Sequence, residues 1–182
     1  MPLNTATAPD FDDPLGLLRA CHGRIERFAG LALRLADEPL AAPPQPVQEA
    51  AGQVLRYFER AGPMHHADEE TDLLPALRHR LGSAPGGALG ELLAGLAREH
   101  AELDGHWQAL RPLLAELRAG RPVAPAAYAE RARAFHAAQT GHLARENAHL
   151  LPAAETHLTG SDLAALGAAM ARRRGVGQNG RE

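Results

Sequence analysis

The sequence predicts an all-α fold, an up-down-up-down antiparallel four-helix bundle with a short extra C-terminal helix. Three observations carry this. Apolar residues recur at helical spacing over four long stretches, and the connections between them are short and rich in Pro and Gly. A motif H-x-x-x-E-x-x-x-L-L-P is written twice, from His65 to Pro75 and from His142 to Pro152. Folding consecutive stretches back on one another brings one histidine of each to a similar level, as antiparallel neighbours joined by short loops would.

Each element has its own signal. Asp12-Asp13-Pro14 marks a helix start, because an acidic cap satisfies free backbone N–H groups and proline fits the first turn. Leu15, Leu18, His22, Ile25, Ala29 and Ala32 then follow on one stripe. The prolines between Asp37 and Pro46 make a loop, and Val47, Val54, Leu55 and Phe58 open a second helix that ends near Leu81-Gly82. Gly62-Pro63 should kink or break that helix, since a proline ring clashes with the preceding turn. After a turn over 83–87, the run Leu89, Leu93, Leu96, His100, Leu103 and Trp107 begins the stripe of a third helix, which Leu110, Leu114 and Leu117 complete. Gly120 to Pro125 ends it. The fourth helix carries Tyr128, Phe135, His142, Glu146 and Leu150, with a bend expected at Pro152. The expected organisation is a flexible N-terminus over 1–10, the bundle over 11–158, a short helix over 160–174 and a disordered tail over 175–182.

Composition sets the class. At 182 residues and 45% hydrophobic content the chain suits one domain with a substantial core. A formal charge of −3 argues against a nucleic-acid footprint, and Arg172 to Arg174 read as a solvated helix end. The single cysteine, Cys21, excludes an internal disulfide or a thiolate-rich metal site and reads as a packing residue. No apolar run reaches the roughly 20 residues of a membrane span. These features predict a cytoplasmic, soluble protein, monomeric or homodimeric, without nucleic-acid or membrane partners.

The repeated motif carries the chemistry. Phe58 and Phe135 each lie seven residues before the motif histidine, so Phe, His, Glu and the Leu eight residues after the His, Leu73 or Leu150, share one mostly apolar helix face. Two carboxylates on such faces would protonate or destabilise the fold unless cations compensate them. Metal ions do so. Imidazole and carboxylate donors suit Fe, Mn or Zn, and two Glu from facing helices can bridge two ions with histidines at each end. Iron is the expected metal, with Mn or Zn as lesser alternatives, in a metal centre and not a catalytic triad.

With His22 on the first helix, the two motifs, and Glu99-His100 on the third, the sequence resembles the hemerythrin-like family, also called HHE cation-binding domains, from about Leu15 to His157. The resemblance implies a four-helix bundle around a non-haem di-iron centre with carboxylate and oxo or hydroxo bridges. His22, His65, His100 and His142 would be terminal ligands, and Glu69 and Glu146 the bridges. The oxygen-carrying hemerythrins have a second His one turn beyond the third-helix His, where this chain has Asp104; their second bridge is an Asp five residues after its His, where Glu146 stands at four. These departures resemble the intracellular HHE branch, linked to oxygen, nitric oxide or iron sensing, peroxide handling and repair of iron centres.

Other candidates surround this core. Asp104 shares the His100 face and offers either a further ligand or a partner for Arg111; His66 becomes a ligand if the Gly62-Pro63 kink rotates its turn, and Glu26 lies one turn after His22. His106 and His149 suit supporting or surface roles, while His79, His136 and His157 suit solvent-facing positions. The leading functional expectation is binding of O2, NO or peroxide at a di-iron centre, for sensing, scavenging or iron handling. The alternatives are a di-iron oxidoreductase that activates oxygen, reduces NO or decomposes peroxide, an iron-centre repair protein acting with a separate protein partner, and a structural zinc staple.

Overall fold

A computed structural model describes residues 10–82 and 85–176. The expected flexible N-terminus and disordered tail therefore lie outside the described residues, apart from Asp10, Gly175 and Val176. The described chain is helical throughout, with no strand among those residues. Helix α1 spans Pro14–Arg34, and the Asp13 carboxylate accepts the Gly16 N–H at 2.9 Å as its cap. A 3₁₀ turn at Leu35–Asp37 leads to α2, Gln45–Phe58. Next come α3, Ala61–Ala67, a π-helical turn at Asp68–Leu73, and α4, Leu74–Leu81. Helix α5 spans Gly87–Arg118 and α6 Pro125–Arg145. A second π-helical turn, Glu146–Leu150, precedes α7, Leu151–His157, and α8 covers Gly160–Arg173 behind a Thr159/Asp162 capping box.

The expected second helix is thus divided. The chain turns at Glu59-Arg60, so that Pro63 falls in the first turn of α3, where its missing N–H leaves no helical bond unmade. The π turns are a feature the periodicity does not reveal. In each, the repeated Glu carbonyl accepts from the residue five positions on: Leu74 N–H donates to Glu69 and Leu151 N–H to Glu146. Each is followed at once by the motif proline, Pro75 or Pro152, in the first turn of the next helix. A proline ring crowds the carbonyl four residues back, and widening the ladder by one residue relieves that crowding upstream.

Packing arranges these elements around a polar layer. Helix α1 packs on α2 and α6, and α5 packs on the same two. One apolar cluster contains Ile25, Phe58, Trp107, Tyr128 and Phe135. A second contains Leu18, Leu73, Leu96, Leu150 and Met170. His22 lies between Leu18 and Ile25 in the chain, His65 and Glu69 between Phe58 and Leu73, His100 between Leu96 and Trp107, and His142 and Glu146 between Phe135 and Leu150. The polar residues therefore sit between two dry cores. Phe58 and Phe135, one from each motif copy, meet edge to face at 4.9 Å below the histidines.

Helix α8 packs against α1 and the first π turn. Arg173 and Arg174 both bind the carboxylate of Asp68, which is 0% exposed, and Arg173 also holds Asp72 at 2.6 Å. The basic end of α8 is thus a clamp on the bundle, which corrects its reading as a solvated helix end. Among the described residues no helix is long and apolar enough to cross a membrane.

Candidate metal centre

Six side chains converge in the polar layer: His22 from α1, His65 from α3, His100 from α5, His142 from α6, and Glu69 and Glu146 from the heads of the two π turns. All are buried, and the two glutamates are 0% exposed. Their arrangement is paired. Glu69 Oε1 faces His22 Nε2 at 3.7 Å and His65 Nε2 at 3.4 Å, while its Oε2 faces His100 Nε2 at 3.4 Å. Glu146 Oε2 faces His22 Nε2 at 3.4 Å, while its Oε1 faces His142 Nε2 at 3.1 Å and His100 Nε2 at 3.8 Å. Each carboxylate thus presents one oxygen to the His22/His65 pair and the other to the His100/His142 pair.

The inward-facing atoms lack ordinary partners. Nine buried atoms make no hydrogen bond among the described residues: both oxygens of each Glu, both ring nitrogens of His65, and Nε2 of His22, His100 and His142. Buried polar groups are almost always satisfied, so such a concentration points to cations that the donors would hold. The donors form two groups, His22, His65, Glu69 and Glu146 on one side and Glu69, His100, His142 and Glu146 on the other, each within 4.8 Å of one another.

The outward nitrogens are oriented by a second ring of residues. His22 Nδ1 pairs with Asn147 Oδ1 at 2.8 Å, and His100 Nδ1 with Glu70 Oε1 at 2.5 Å. His142 Nδ1 pairs with Glu99 Oε2 at 3.1 Å, and Glu99 is itself held by Arg145 at 2.6 Å. Such contacts fix ring orientation and turn Nε2 toward the centre. Glu70 and Asn147 each follow a repeated Glu directly, so each motif copy supports a histidine of another helix. Periodicity singled out neither; the shared position after each Glu was the available signal.

Burial and mutual repulsion set the charge states. Burial, and then Glu146 beside it, push the Glu69 carboxyl well above the usual carboxylate range. Burial also pushes Glu146 up, but the facing imidazoles of His100 and His142 outweigh it and hold Glu146 below that range. Burial lowers His22 and His65 and takes His66 down to about 3, leaving three neutral imidazoles available as ligands. At His142 burial is outweighed by Glu146 and Glu99, which raise it.

These directions predict the acid response of the metal-free protein. Below pH 6.5 the unfolded chain protonates His22, His65 and His66 while the fold does not, so their stabilisation is present above pH 6.5 and lost as pH falls. Glu69, raised in the fold, works in the opposite direction above pH 4.5, and the stabilisation from His142, raised in the fold, is fully present below pH 6.5 and changes only as pH rises above it. Three groups against one give stability that falls between pH 6.5 and 4.5, by on the order of 1 kcal/mol per pH unit for each net proton. Urea unfolding across that range is the check; stability that rises on acidification would reject the assigned directions.

Of the remaining candidates, His66 stacks on His100 with ring centroids 3.8 Å apart and planes 4° apart. Its donor atom groups with those of His100 and His142. Asp104 lies outside the donor groups among the described residues; it is exposed and accepts the Gln108 amide at 3.2 Å, while Arg111 pairs with Glu59 at 3.1 Å. Glu26 is exposed on the α1–α6 side and also outside them. His79, His106, His136, His149 and His157 join none of the groups. A cavity of about 620 Å³ reaches from His66 past Asp104 and Trp107 to Arg111.

Comparison with known proteins agrees with this geometry: the family model for the hemerythrin HHE cation-binding domain matches residues 13–154. The chain belongs to the hemerythrin HHE family. A curated relative in Haemophilus influenzae, described as an uncharacterized protein, is 33% identical over 108 residues, 59% of this chain. The match covers 60% of that relative's length. Membership in the hemerythrin HHE family makes this a cation-binding domain, and the buried His/Glu cluster is where cations would be held.

Proposed function

We propose that the chain is a non-haem di-iron protein that binds O2, NO or peroxide at a carboxylate-bridged centre. His22 and His65 would hold one ion, His100 and His142 the other, and Glu69 and Glu146 would bridge them. The observation that carries this is the division of each buried carboxylate between two histidine pairs. The up-down-up-down order belongs to the same reading. It is supported by the two apolar clusters, which the four chain segments reach in alternating sequence. When bound, a pair of redox-active ions supplies Lewis acidity and electron exchange toward a small ligand. The protein's part is to keep the layer dry, with the second-ring residues aiming the imidazoles of His22, His100 and His142. His66, beside His100 and open to the cavity, stands where a small ligand would approach the second histidine pair. That cavity favours a second reading, a di-iron oxidoreductase.

Metal analysis of protein purified with iron available should find about two Fe per chain. Its visible spectrum should change when oxygen or NO is admitted to the reduced protein. Stoichiometric zinc, with a spectrum indifferent to both gases, would sink the proposal.

A further inference from the structure

The 620 Å³ cavity beside His66 is far larger than a diatomic ligand needs and falls within the size range of small-molecule sites. Its floor is apolar and aromatic, built by Ile25, Phe58, Leu103 and Trp107. Phe58 and Trp107 lie with ring centroids 5.2 Å apart. At the inner side sits Gln139, only 5% exposed, whose amide makes no hydrogen bond among the described residues although it lines the cavity. Its amide faces the cavity and is not among the buried groups left without a partner, so its donor and acceptor are available to a polar group on an occupant.

The rim fixes the sign of that occupant. Arg111 is matched by Glu59 at 3.1 Å, which leaves neither charge free to select a ligand. Asp104, on the same wall, accepts only the neutral Gln108 amide at 3.2 Å. The lining therefore carries one carboxylate more than it has cations, in a cavity that two aromatic side chains also line. A carboxylate and aromatic side chains lining one cavity favour an organic cation, through a charge-assisted hydrogen bond and cation–π attraction.

We propose that this cavity binds a small organic amine, its apolar or aromatic body on Phe58 and Trp107, its cationic nitrogen on Asp104, and a polar substituent on Gln139. The inference rests on the cavity and stands apart from the identity of the metal.

Trp107 is the only tryptophan in the chain, so its emission reports on the cavity. The test uses protein as purified, with its metal, and three probes of similar shape: phenethylamine, 3-phenylpropanol and 3-phenylpropionate. Titration calorimetry should give one phenethylamine site per chain, with a saturable change in Trp107 emission. The alcohol and the carboxylate should bind about tenfold more weakly, and Asp104→Asn should weaken phenethylamine by about tenfold. Asp104 is exposed, and unchanged circular dichroism will verify that the variant folds. The absence of saturable phenethylamine binding overturns the proposal. So does equal binding of the alcohol or carboxylate by the native protein, or equal binding of phenethylamine by Asp104→Asn.

Discussion

Replacing Glu69 or Glu146 with alanine should lower metal occupancy from the proposed two ions per chain to well under one, whereas His136→Ala should leave it unchanged. The reason is geometric. Each carboxylate faces both histidine pairs, so one substitution removes an oxygen from both donor groups. A terminal histidine serves only its own side, and His22→Ala should leave the His100/His142 group with all four of its donors. Loss of metal must be separated from loss of fold. In the metal-free state burial drives Glu69 toward its neutral form and leaves its oxygens without partners in a dry layer, so removing it should leave thermal stability unchanged or raised. Elemental analysis and a melting curve on each variant supply both readouts; equal occupancy in Glu69→Ala, Glu146→Ala and His136→Ala would refute the bridging assignment.

The double substitution Arg173→Ala with Arg174→Ala destabilises the protein by roughly 3–5 kcal/mol, the usual effect of stripping the partners from a buried carboxylate. Asp68 is 0% exposed and is held by both arginines, and Arg173 also reaches Asp72. Adding Asp68→Asn to the double variant should restore part of the loss, because the buried charge then disappears with its partners. Since Asp68 precedes Glu69 in one π turn, the double variant should also bind metal more weakly than its folded fraction alone explains. Urea unfolding measures the first effect, and a free energy unchanged from wild type would show that α8 is not a clamp.

The helical stretches and the convergence of His22, His65, His100 and His142 were legible because helical periodicity and a repeated motif are local signals. The π turns were not legible, since a ladder that widens by one residue leaves the apolar spacing almost unchanged while Leu74 and Leu151 shift their bonds to Glu69 and Glu146. Nor was the place of Asp104. It is one turn from His100 on α5, but it follows the wall of the cavity and not the polar layer. His66 was ambiguous by rotation alone; the break at Glu59-Arg60 reset its turn and brought its ring onto His100. The clamp on Asp68 joins residues more than a hundred positions apart, and no periodicity in a single chain reports such a pairing.

The sharing of each glutamate between the two histidine pairs also orders events during synthesis. His142 follows His65 by 77 residues, so at ordinary translation rates the second motif leaves the ribosome roughly 4 to 15 seconds after the first. Throughout that interval the nascent chain offers His22, His65, His66 and Glu69 with no Glu146 to complete either donor group. On the proposed di-iron reading, metal loading would wait for the last long helix, and a chain truncated before Glu146 would lack a donor of both groups.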